Sequence, residues 1–586
     1  MCSNAYLVAL SQRLPVSSRV AALVAAPGVR RMRLWILSFA LAAASLPSVA
    51  APAPSAAAVA RYAQRQLQTN YAQHGPGAAL LVARGDQVLY RGALGEASVE
   101  LGVPLSAERV FRIGSVTKQF AAAGLLKLVE AGKVGLDDPL SKYLPDYPNG
   151  AKITVRQLLN HTSGVKSYTG IPGVMAGPIR MDLSTAQLID TFEHLPVDFA
   201  PGEKWAYNNS GYVLVGAVIE AASGQPWHEY LQQALFQPLG LQHTRWGDDH
   251  ALIPGQVQGY TLSHGAPAPA NYASMSQPHA AGALVSTVDD LLRWNRALHE
   301  GKVLRSDLYT AMITPEGAAK AEHYGYGIEH AGFRNGDALA HSGGIFGFLS
   351  FLIYVPGSDV SVAIVQNSDL VARGKRNPEV LARKIAAYAI GQPYPEPVAA
   401  RPIEPQLKPL EGVYRMDANT ARAMRVVGGR LVSQRIGGQR VPLEALGNDE
   451  FLFEDGLSRL RFERDAQGRA TGVRFYPDGE GEGIYSRRTD EALPIETAAI
   501  ALPAAARERV VGRYAREGRV LSVFQQGEQL MAQMTGQPPF ALAATSPHRY
   551  TVDAVGAVLE FAPESGPAQT LTLRQGGAVL EFKREP

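Results

Sequence analysis

The chain has 586 residues, of which 46% are hydrophobic and 19% are charged. That composition excludes intrinsic disorder, coiled coils and collagen-like repeats, because each of these needs a more biased sequence. The length predicts three or four domains at roughly 150 residues each. A net charge of +3 without any block of Lys or Arg gives no indication of nucleic-acid binding. The single cysteine, Cys2, can form neither an intramolecular disulfide nor a thiolate metal site.

The first fifty residues have the pattern of a secretory signal. Arginines at 30, 31 and 33 precede a mostly apolar run from Leu34 to Leu46, and Ser48-Val49-Ala50 places small residues where a signal peptidase reads. The run is shorter than the ~20 residues of a membrane-spanning helix. We therefore predict cleavage near Ala50, with Met32 as the expected start and a secreted or periplasmic product; the alternative is a helical anchor left uncleaved. The segment 1–50 holds five arginines and no acidic residue, so the mature chain would carry a net charge of −2.

Residues 56–391 combine strand and helix patterns and predict a mixed α and β domain. Arg84 to Glu100 is typical of a β-hairpin, whereas Val116 to Glu130 has apolar residues at helical spacing and ends before Gly132. Capping boxes predict two further helix starts: Thr154 with Gln157, and Ser286 with Asp289.

The C-terminal third has a different pattern. Six prolines between Gly391 and Leu410 predict a semi-rigid linker, residues 392–409, that continues neither helix nor sheet. Beyond it, short alternating segments separated by glycine turns are typical of antiparallel β structure. The opening Gly412-Val413-Tyr414 recurs one hundred positions later as Gly512-Arg513-Tyr514, and the closing segments around 484–487 and 580–583 also match. We predict two antiparallel β-barrels, residues 410–488 and 507–586.

The sequence Ser115-Val116-Thr117-Lys118 lies at the start of the predicted helix 116–130. Residues three apart share a helix face, so the hydroxyl of Ser115 and the amine of Lys118 can meet. Because a desolvated lysine loses pKa, a neutral amine could take the proton from the serine and make it a nucleophile. Ser163 and Lys166 have the same spacing, but Gly164 lies between them at a helix end, so that pair is predicted to splay on a turn.

Two further motifs complete a possible site. Tyr207-Asn208-Asn209 follows a Pro-Gly turn and precedes a helix predicted from Tyr212 to Ala222, so a phenol could act as base and the Asn209 amide could hold the lysine or the substrate. His341-Ser342-Gly343-Gly344 precedes an apolar strand, and its glycines would let a substrate backbone lie against a strand edge.

Together these motifs resemble the penicillin-recognising serine hydrolases, which include class C β-lactamases, D-alanyl-D-alanine carboxypeptidases, esterases and D-aminopeptidases. The resemblance covers about Leu80 to Asn367 and includes Leu158-Leu159-Asn160-His161-Thr162-Ser163-Gly164. The fold it implies is an antiparallel sheet flanked by helices plus an all-helical lobe. The mechanism it implies is acyl transfer by Ser115, with Lys118 and Tyr207 sharing proton transfers, Asn209 orienting the lysine and substrate, and the N–H groups of Ser115 and Gly344 holding the oxyanion.

The third motif departs from that family in one position that bears on the substrate. A lysine is replaced by His341, which is mostly neutral at pH 7 and would weaken carboxylate recognition. The same histidine occurs in D-aminopeptidases, whose layout of a catalytic domain and two lipocalin-like barrels is also similar. In them a loop of the last barrel enters the active site. By position that loop would be Gly536, Gln537, Pro538 and Pro539; the alternative is an ordinary hairpin tip.

The sequence therefore predicts an exported serine hydrolase for amide or ester bonds of small peptides or amides that contain D-amino acids. Alternatives are a β-lactamase, a short-chain esterase, or a non-catalytic sensor of peptidoglycan or β-lactams. No carboxylate is identified that would bind a substrate amine. The sequence contains no His-Glu-x-x-His zinc motif, no Gly-x-Ser-x-Gly elbow and no cofactor motif. Expected partners are a small molecule or short peptide, without nucleic acid.

Overall fold

The computed structural model describes residues 53–171, 173–263, 266–334, 336–369, 371, 375, 377–418, 420–436, 438, 440–454, 456–494, 500–516, 519–534, 539–552, 555–575 and 578–585. The predicted signal segment 1–50 lies outside these residues. Along the part of the chain that is described, no helix has the length and apolar character needed to cross a membrane.

The N-terminal region up to Ala389 contains α1 to α10 and β1 to β13. Its helices are α1 Ala56–Asn70, α2 Thr117–Glu130, α3 Val155–Leu159, α4 Thr185–Glu193, α5 Asn209–Ser223, α6 Trp227–Leu231, α7 His279–Gly282, α8 Val288–His299, α9 Ser306–Ile313 and α10 Pro378–Ala389. Its strands are β1 Ala78–Arg84, β2 Gln87–Leu94, β3 Glu96–Ser98, β4 Val103–Pro104, β5 Phe111–Arg112, β6 Arg245–Trp246, β7 Tyr260–Ser263, β8 Ala266–Pro269, β9 Leu284–Ser286, β10 Glu329–Phe333, β11 Gly336–Ile345, β12 Phe348–Val355 and β13 Val360–Gln366.

A central antiparallel sheet with the order β10-β11-β12-β13-β1-β2 organises this region. Both faces are covered, so its strands are nearly continuously apolar rather than alternating. On one face, Leu81 and Ala363 belong to the front core, which includes the residues of α2 and α5. On the other, Leu80 and Val362 belong to the back core, with α1 and α10. The predicted sheet with flanking helices and a helical lobe is confirmed.

Helix α2 runs through the front core and carries the Ser-x-x-Lys motif. Every residue from Thr117 to Leu126 is buried, which explains why its apolar pattern is not confined to one stripe. Gly124 lies so close to α6 that a Cβ there would be 2.1 Å from the Leu231 side chain. The helix therefore has a fixed position within the lobe.

Local predictions in this region have mixed outcomes. A hairpin is present, but its strands are β1 and β2, residues 78–94, so it begins and ends earlier than the predicted range 84–100. The capping box of Thr154 with Gln157 is present. The capping box of Ser286 with Asp289 is wrong by one residue, because Thr287 caps α8 by accepting from the N–H of Asp290. Ser286 instead ends β9, and its hydroxyl lies 2.8 Å from the Thr244 hydroxyl.

The proline-rich segment 392–409 contains α11 Glu404–Leu407 and a 3-10 turn at Lys408–Leu410, so the prediction that it continues no helix is wrong. Pro405 lies in the first turn of α11, where proline is tolerated because the N–H is unpaired in any case. The segment is also packed on the first barrel: the N–H of Val398 donates to Ala445 O over 2.9 Å.

Two antiparallel barrels follow, as predicted. The first contains β14 Gly412–Arg415, β15 Ala421–Val427, β16 Arg430–Arg435, β17 Arg440–Pro442, β18 Glu444–Gly447, β19 Glu450–Leu452, β20 Arg459–Arg464, β21 Ala470–Tyr476 and β22 Ile484–Thr489. After α12 Ala504–Glu508, the second contains β23 Gly512–Arg516, β24 Arg519–Gln526, β25 Gln529–Met534, β26 Phe540–Ala541, β27 Ala543–Ser546, β28 Arg549–Val552, β29 Ala557–Ala562, β30 Thr570–Gln575 and β31 Ala578–Arg584.

The predicted repeat appears in matching contacts of the two barrels. The first and last strands pair in each, β14 with β22 and β23 with β31. The hydroxyl of Tyr414 donates to Leu410 O over 2.8 Å, and that of Tyr514 donates to Val510 O over 2.9 Å. The two sheet edges in each barrel are joined by one buried residue, Leu443 or Leu542, so each sheet nearly closes on itself.

Candidate active site

Ser115 lies in a 3-10 turn, Gly114–Val116, which leads directly into α2. This turn is in backbone contact with β11. A Cβ on Gly114 would lie 2.8 Å from Gly344 N, and one on Gly343 would lie 2.1 Å from Ile113 O. Gly114 also has φ +50. Only glycine permits such an approach, which brings the backbone of Gly344 next to the residue that precedes Ser115.

The amine of Lys118 lies 3.0 Å from Ser115 Oγ, 2.9 Å from Asn209 Oδ1 and 2.8 Å from Ala281 O. The two amide oxygens can only accept, whereas the serine hydroxyl can also donate. A neutral amine has two N–H groups for the two amide oxygens and one lone pair that can accept from the Ser115 hydroxyl, so it can satisfy all three partners. Lys118 is fully buried, and this desolvation lowers its pKa well below the usual range.

Asn209 is positioned by the start of α5. The preceding residue, Asn208, caps the helix by accepting from the N–H of Gly211 over 2.9 Å. The Nδ2 of Asn209 donates to the Thr169 hydroxyl over 3.1 Å, which leaves Oδ1 directed at Lys118. Thr169 and Ala281 are thus supporting residues that the motifs did not reveal.

The ring of Tyr207 lies beside the amine, with Lys118 Nζ 4.7 Å from the ring centroid. Tyr207 is 38% exposed, and its hydroxyl shares a hydrogen bond with Ser115. Desolvation raises the pKa of the phenol, and the bond with Ser115 opposes the rise. Near neutral pH Tyr207 is therefore an uncharged group that can both accept and donate a proton, while the pKa directions make Lys118 the stronger candidate for the base.

His341 is buried, and both its ring nitrogens have partners in the protein. Nδ1 lies 2.6 Å from the carbonyl oxygen of Ser342, which can only accept, so Nδ1 carries the proton. Nε2 then accepts from the Tyr324 hydroxyl over 2.8 Å. Burial and the neighbouring Lys118 lower the pKa of His341 to about 3. The residue that replaces the family lysine therefore brings no positive charge to the site.

The part of β11 next to the site has a free edge. Strand β10 pairs with β11 only from Gly336 to Ala340, and among the described residues the stretch from His341 to Ile345 pairs with β12 alone. Ser342 and Gly344 are exposed there. An extended substrate segment could add to this edge through backbone hydrogen bonds.

The second Ser-x-x-Lys pair differs as predicted. Ser163 and Lys166 lie on a loop after α3, with Gly164 at φ +72. Ser163 is buried, and Lys166 extends to solvent, where its amine pairs with Asp198 over 2.6 Å. The two side chains do not form a nucleophile and base.

Of the predicted gating loop, residues 536–538 lie outside the described residues, and Pro539 is exposed just before β26. Within the described residues, one His and carboxylate cluster could hold a metal, formed by Asp190, Glu193 and His194 on the surface at the end of α4. Its exposed carboxylates are common without any ion, and it does not include the residues around Ser115.

Sequence reasoning missed an aromatic group around the site. The rings of Trp205, Tyr207, Tyr212 and Tyr324 surround His161 at centroid distances between 4.5 and 6.0 Å. The histidine stands in the segment 158–164 that carried part of the family resemblance, but only the fold brings it to Tyr207. Tyr324 stands outside every motif, and no local signal indicated it.

Comparisons with known proteins identify the family of the chain. The Beta-lactamase family model matches residues 57–386. The chain is 24% identical over 448 residues to Penicillin-binding protein 4* of Bacillus subtilis (strain 168), covering 72% of this chain and 97% of that protein. It is 27% identical over 329 residues to the D-aminopeptidase of Gluconobacter oxydans (strain 621H), covering 55% of this chain and only 60% of that protein.

A solved structure, the octameric penicillin-binding protein homologue from Pyrococcus abyssi, shares the fold with a TM-score of 0.51 and 21% identity, covering 82% of this chain and 99% of that one. The family model spans more than half of the chain, and its region contains Ser115 and Lys118. The chain belongs to the β-lactamase family of penicillin-recognising serine hydrolases and is a serine hydrolase.

Proposed function

We propose that the chain is an exported hydrolase that forms an acyl-enzyme at Ser115 with small amides or peptides containing D-amino acids. The observation that carries this proposal is the 3.0 Å contact between the Ser115 hydroxyl and the buried amine of Lys118. The likeness to a D-aminopeptidase supports the substrate class, and the neutral His341 supports a substrate without a terminal carboxylate.

In the acylation step, Ser115 Oγ attacks the carbonyl carbon while its proton passes to the lone pair of Lys118. The tetrahedral oxyanion is held by the N–H groups of Ser115 and Gly344, and removal of one such donor typically costs ~10²-fold or more in rate. As the C–N bond breaks, the proton moves through Tyr207 to the leaving amine. Asn209 keeps the amine of Lys118 directed at the serine.

In deacylation, water takes the place of the leaving amine. The water passes a proton to the Tyr207 and Lys118 pair, and the resulting hydroxide adds to the ester carbonyl. The Ser115 oxygen then departs and takes a proton from the same pair. The free acid is released, and the neutral amine of Lys118 is restored. The sequence of steps needs no cofactor.

The test is a substrate panel with purified mature protein: D- and L-alanine p-nitroanilides, a D-Ala-D-Ala peptide, nitrocefin and p-nitrophenyl acetate. We expect hydrolysis of the D-alanine anilide above its L counterpart, lost in Ser115→Ala. Preference for nitrocefin or for the acetate ester would instead assign a β-lactamase or an esterase. If neither turnover nor labelling of Ser115 by a fluorophosphonate is found, the non-catalytic sensor is favoured.

We also propose export, with cleavage near Ala50. The pattern of arginines, apolar run and small residues at 30–50 supports it. N-terminal sequencing of the secreted protein should begin at Ala51; a product that retains residues upstream of Ala51 would contradict cleavage there.

A further inference from the structure

His161 is a buried histidine, 1% exposed, that lies in the left-handed region at φ +64. Few residues other than glycine adopt this conformation, and where they do the surrounding structure must hold them there. The loop that contains it, residues 160–166, follows α3. It is hydrogen-bonded to the chain that leads into α5.

The contacts of His161 reach both neighbours of Tyr207. Its carbonyl oxygen accepts from the N–H of Ala206 over 3.1 Å, and its Nδ1 accepts from the N–H of Asn208 over 3.2 Å. The ring centroids of His161 and Tyr207 are 4.5 Å apart. One residue thus fixes the backbone on each side of the tyrosine and contacts its ring.

The rest of the loop extends the same contact. The N–H of Gly202 donates to Thr162 O over 2.7 Å, and the N–H of Asp198 donates to Gly164 O over 2.8 Å. The side-chain amide of Asn208 donates to the carbonyl of Val165. Hydrogen bonds from the loop therefore fix the position of the segment 198–208.

The contacts also define the protonation state of the imidazole. Because Nδ1 accepts from Asn208, the neutral ring carries its proton on Nε2, which has no hydrogen-bond partner among the described residues. Burial, together with Lys118 and His341, lowers the pKa of His161 well below the usual range. A second proton would break the bond to Asn208.

We propose that His161 is a positioning residue that holds the Tyr207 hydroxyl in place for proton transfer to the leaving group. This inference rests on the proposed function, in which Tyr207 passes a proton to the departing amine. It predicts that loss of the Nδ1 acceptor affects substrates that need such a proton more than substrates that do not.

The experiment compares His161→Gly with His161→Asn. Both residues tolerate a positive φ, but only asparagine restores an acceptor, since its Oδ1 lies where Nδ1 was. Rates are measured on D-alanine p-nitroanilide, whose leaving group needs a proton, and on p-nitrophenyl acetate, whose phenolate leaves without one. Active sites are counted with a fluorophosphonate, so that unfolded protein does not enter the rates.

We expect His161→Gly to lower kcat/KM, which reports acylation and not the later deacylation, about 10²-fold on the anilide and less than about tenfold on the ester. His161→Asn should recover most of the anilide rate. Lys166→Ala, at the exposed end of the same loop, serves as the control and should change neither rate.

An equal loss on both substrates, or no recovery in His161→Asn, would overturn the inference and leave His161 with a structural role only. A wild type that hydrolyses no anilide would contradict the proposed substrate instead. In that case the same variants are compared on ethyl butyrate, whose alkoxide needs a proton, and on p-nitrophenyl butyrate, with the same two outcomes.

Discussion

The chain contains two Ser-x-x-Lys segments with the same spacing and opposite surroundings. Ser115 and Lys118 span the entry into a buried helix, where the amine meets the hydroxyl at 3.0 Å. Ser163 and Lys166 lie on a loop, where the serine is buried and the lysine forms an exposed pair with Asp198. The difference shows that the spacing alone does not bring a serine and a lysine together; the first pair meets where the chain enters a buried helix.

The largest difference in kcat between the two pairs is expected when each lysine is replaced by alanine in turn. Lys118→Ala removes the base and should lower kcat by about 10³-fold or more, since general base catalysis contributes ~10²–10⁴. Lys166→Ala should leave kcat unchanged. Steady-state rates on the preferred substrate of the panel check this, and comparable losses in both variants would contradict the assignment of the base.

Gly343→Ala tests the backbone contact that only the first pair has. A Cβ there would lie 2.1 Å from Ile113 O and 2.2 Å from Ser350 Oγ, so the Ser115 turn must shift. A displacement of about 1 Å can cost ~10² in rate, and overpacking costs about 1–3 kcal/mol of stability. Kinetics together with denaturant unfolding measure both effects; Gly332→Ala, where a Cβ meets open space, is the matched control.

Asn209→Ala removes one acceptor of the buried Lys118 amine and leaves the Ser115 hydroxyl in place. Lys118 then loses the partner at 2.9 Å that directs it, and an unmade hydrogen bond in a buried site costs ~1–3 kcal/mol. We expect kcat to fall about 10–100-fold. Asn209→Asp is informative beside it: a carboxylate would favour the ammonium form and shift the acid limb of the pH profile to higher pH.

The free energy of unfolding should respond to pH through Lys118. In the folded chain burial lowers the pKa of Lys118, whereas in the unfolded chain it is about 10.4. Between these values the unfolded state binds the additional proton, so this group's contribution to stability rises with pH. The free energy of unfolding of Lys118→Met relative to wild type should therefore fall between pH 7 and pH 9 in urea unfolding. A difference independent of pH would mean that Lys118 is not buried as the neutral amine.

The smallest effect is expected at the exposed pair. Lys166 and Asp198 keep 36% and 43% of their side chains exposed, and surface pairs contribute ~0–1 kcal/mol. Asp198→Asn should change the free energy of unfolding by less than about 1 kcal/mol. This change should become smaller at high salt, because salt screens the pair. A larger loss would show that the Asp198 carboxylate stabilises the fold beyond this ion pair.

Elements with strong local signals were predictable from the sequence. The helix that begins at Thr117 and ends before Gly132, the capping box of Thr154 and the repeated barrels all follow from periodicity and turn residues. The cap of α8 was assigned to Ser286 instead of Thr287, because both are good caps and only the packing of β9 decides between them.

The environment of the site was less accessible to sequence reasoning. His341 was expected to be neutral from its unperturbed pKa, but the reason is its burial and its bonds to Tyr324 and Ser342. Ala281 meets Lys118 through its carbonyl oxygen, a group that every residue has. Contacts of this kind depend on the tertiary fold, and no residue type in the sequence predicts them.

The packing of the first barrel has a consequence for cooperativity of unfolding. Leu457, in a loop of that barrel, belongs to the back core together with Tyr394, whose hydroxyl donates to Glu480 over 2.6 Å. Removing residues 402–586 would therefore expose apolar surface of the catalytic domain, whereas removing only the residues after 494 would leave this cluster intact. In calorimetry the catalytic domain and the first barrel should therefore melt in one transition. A test of whether the loop of the second barrel controls substrate access should delete only the second barrel.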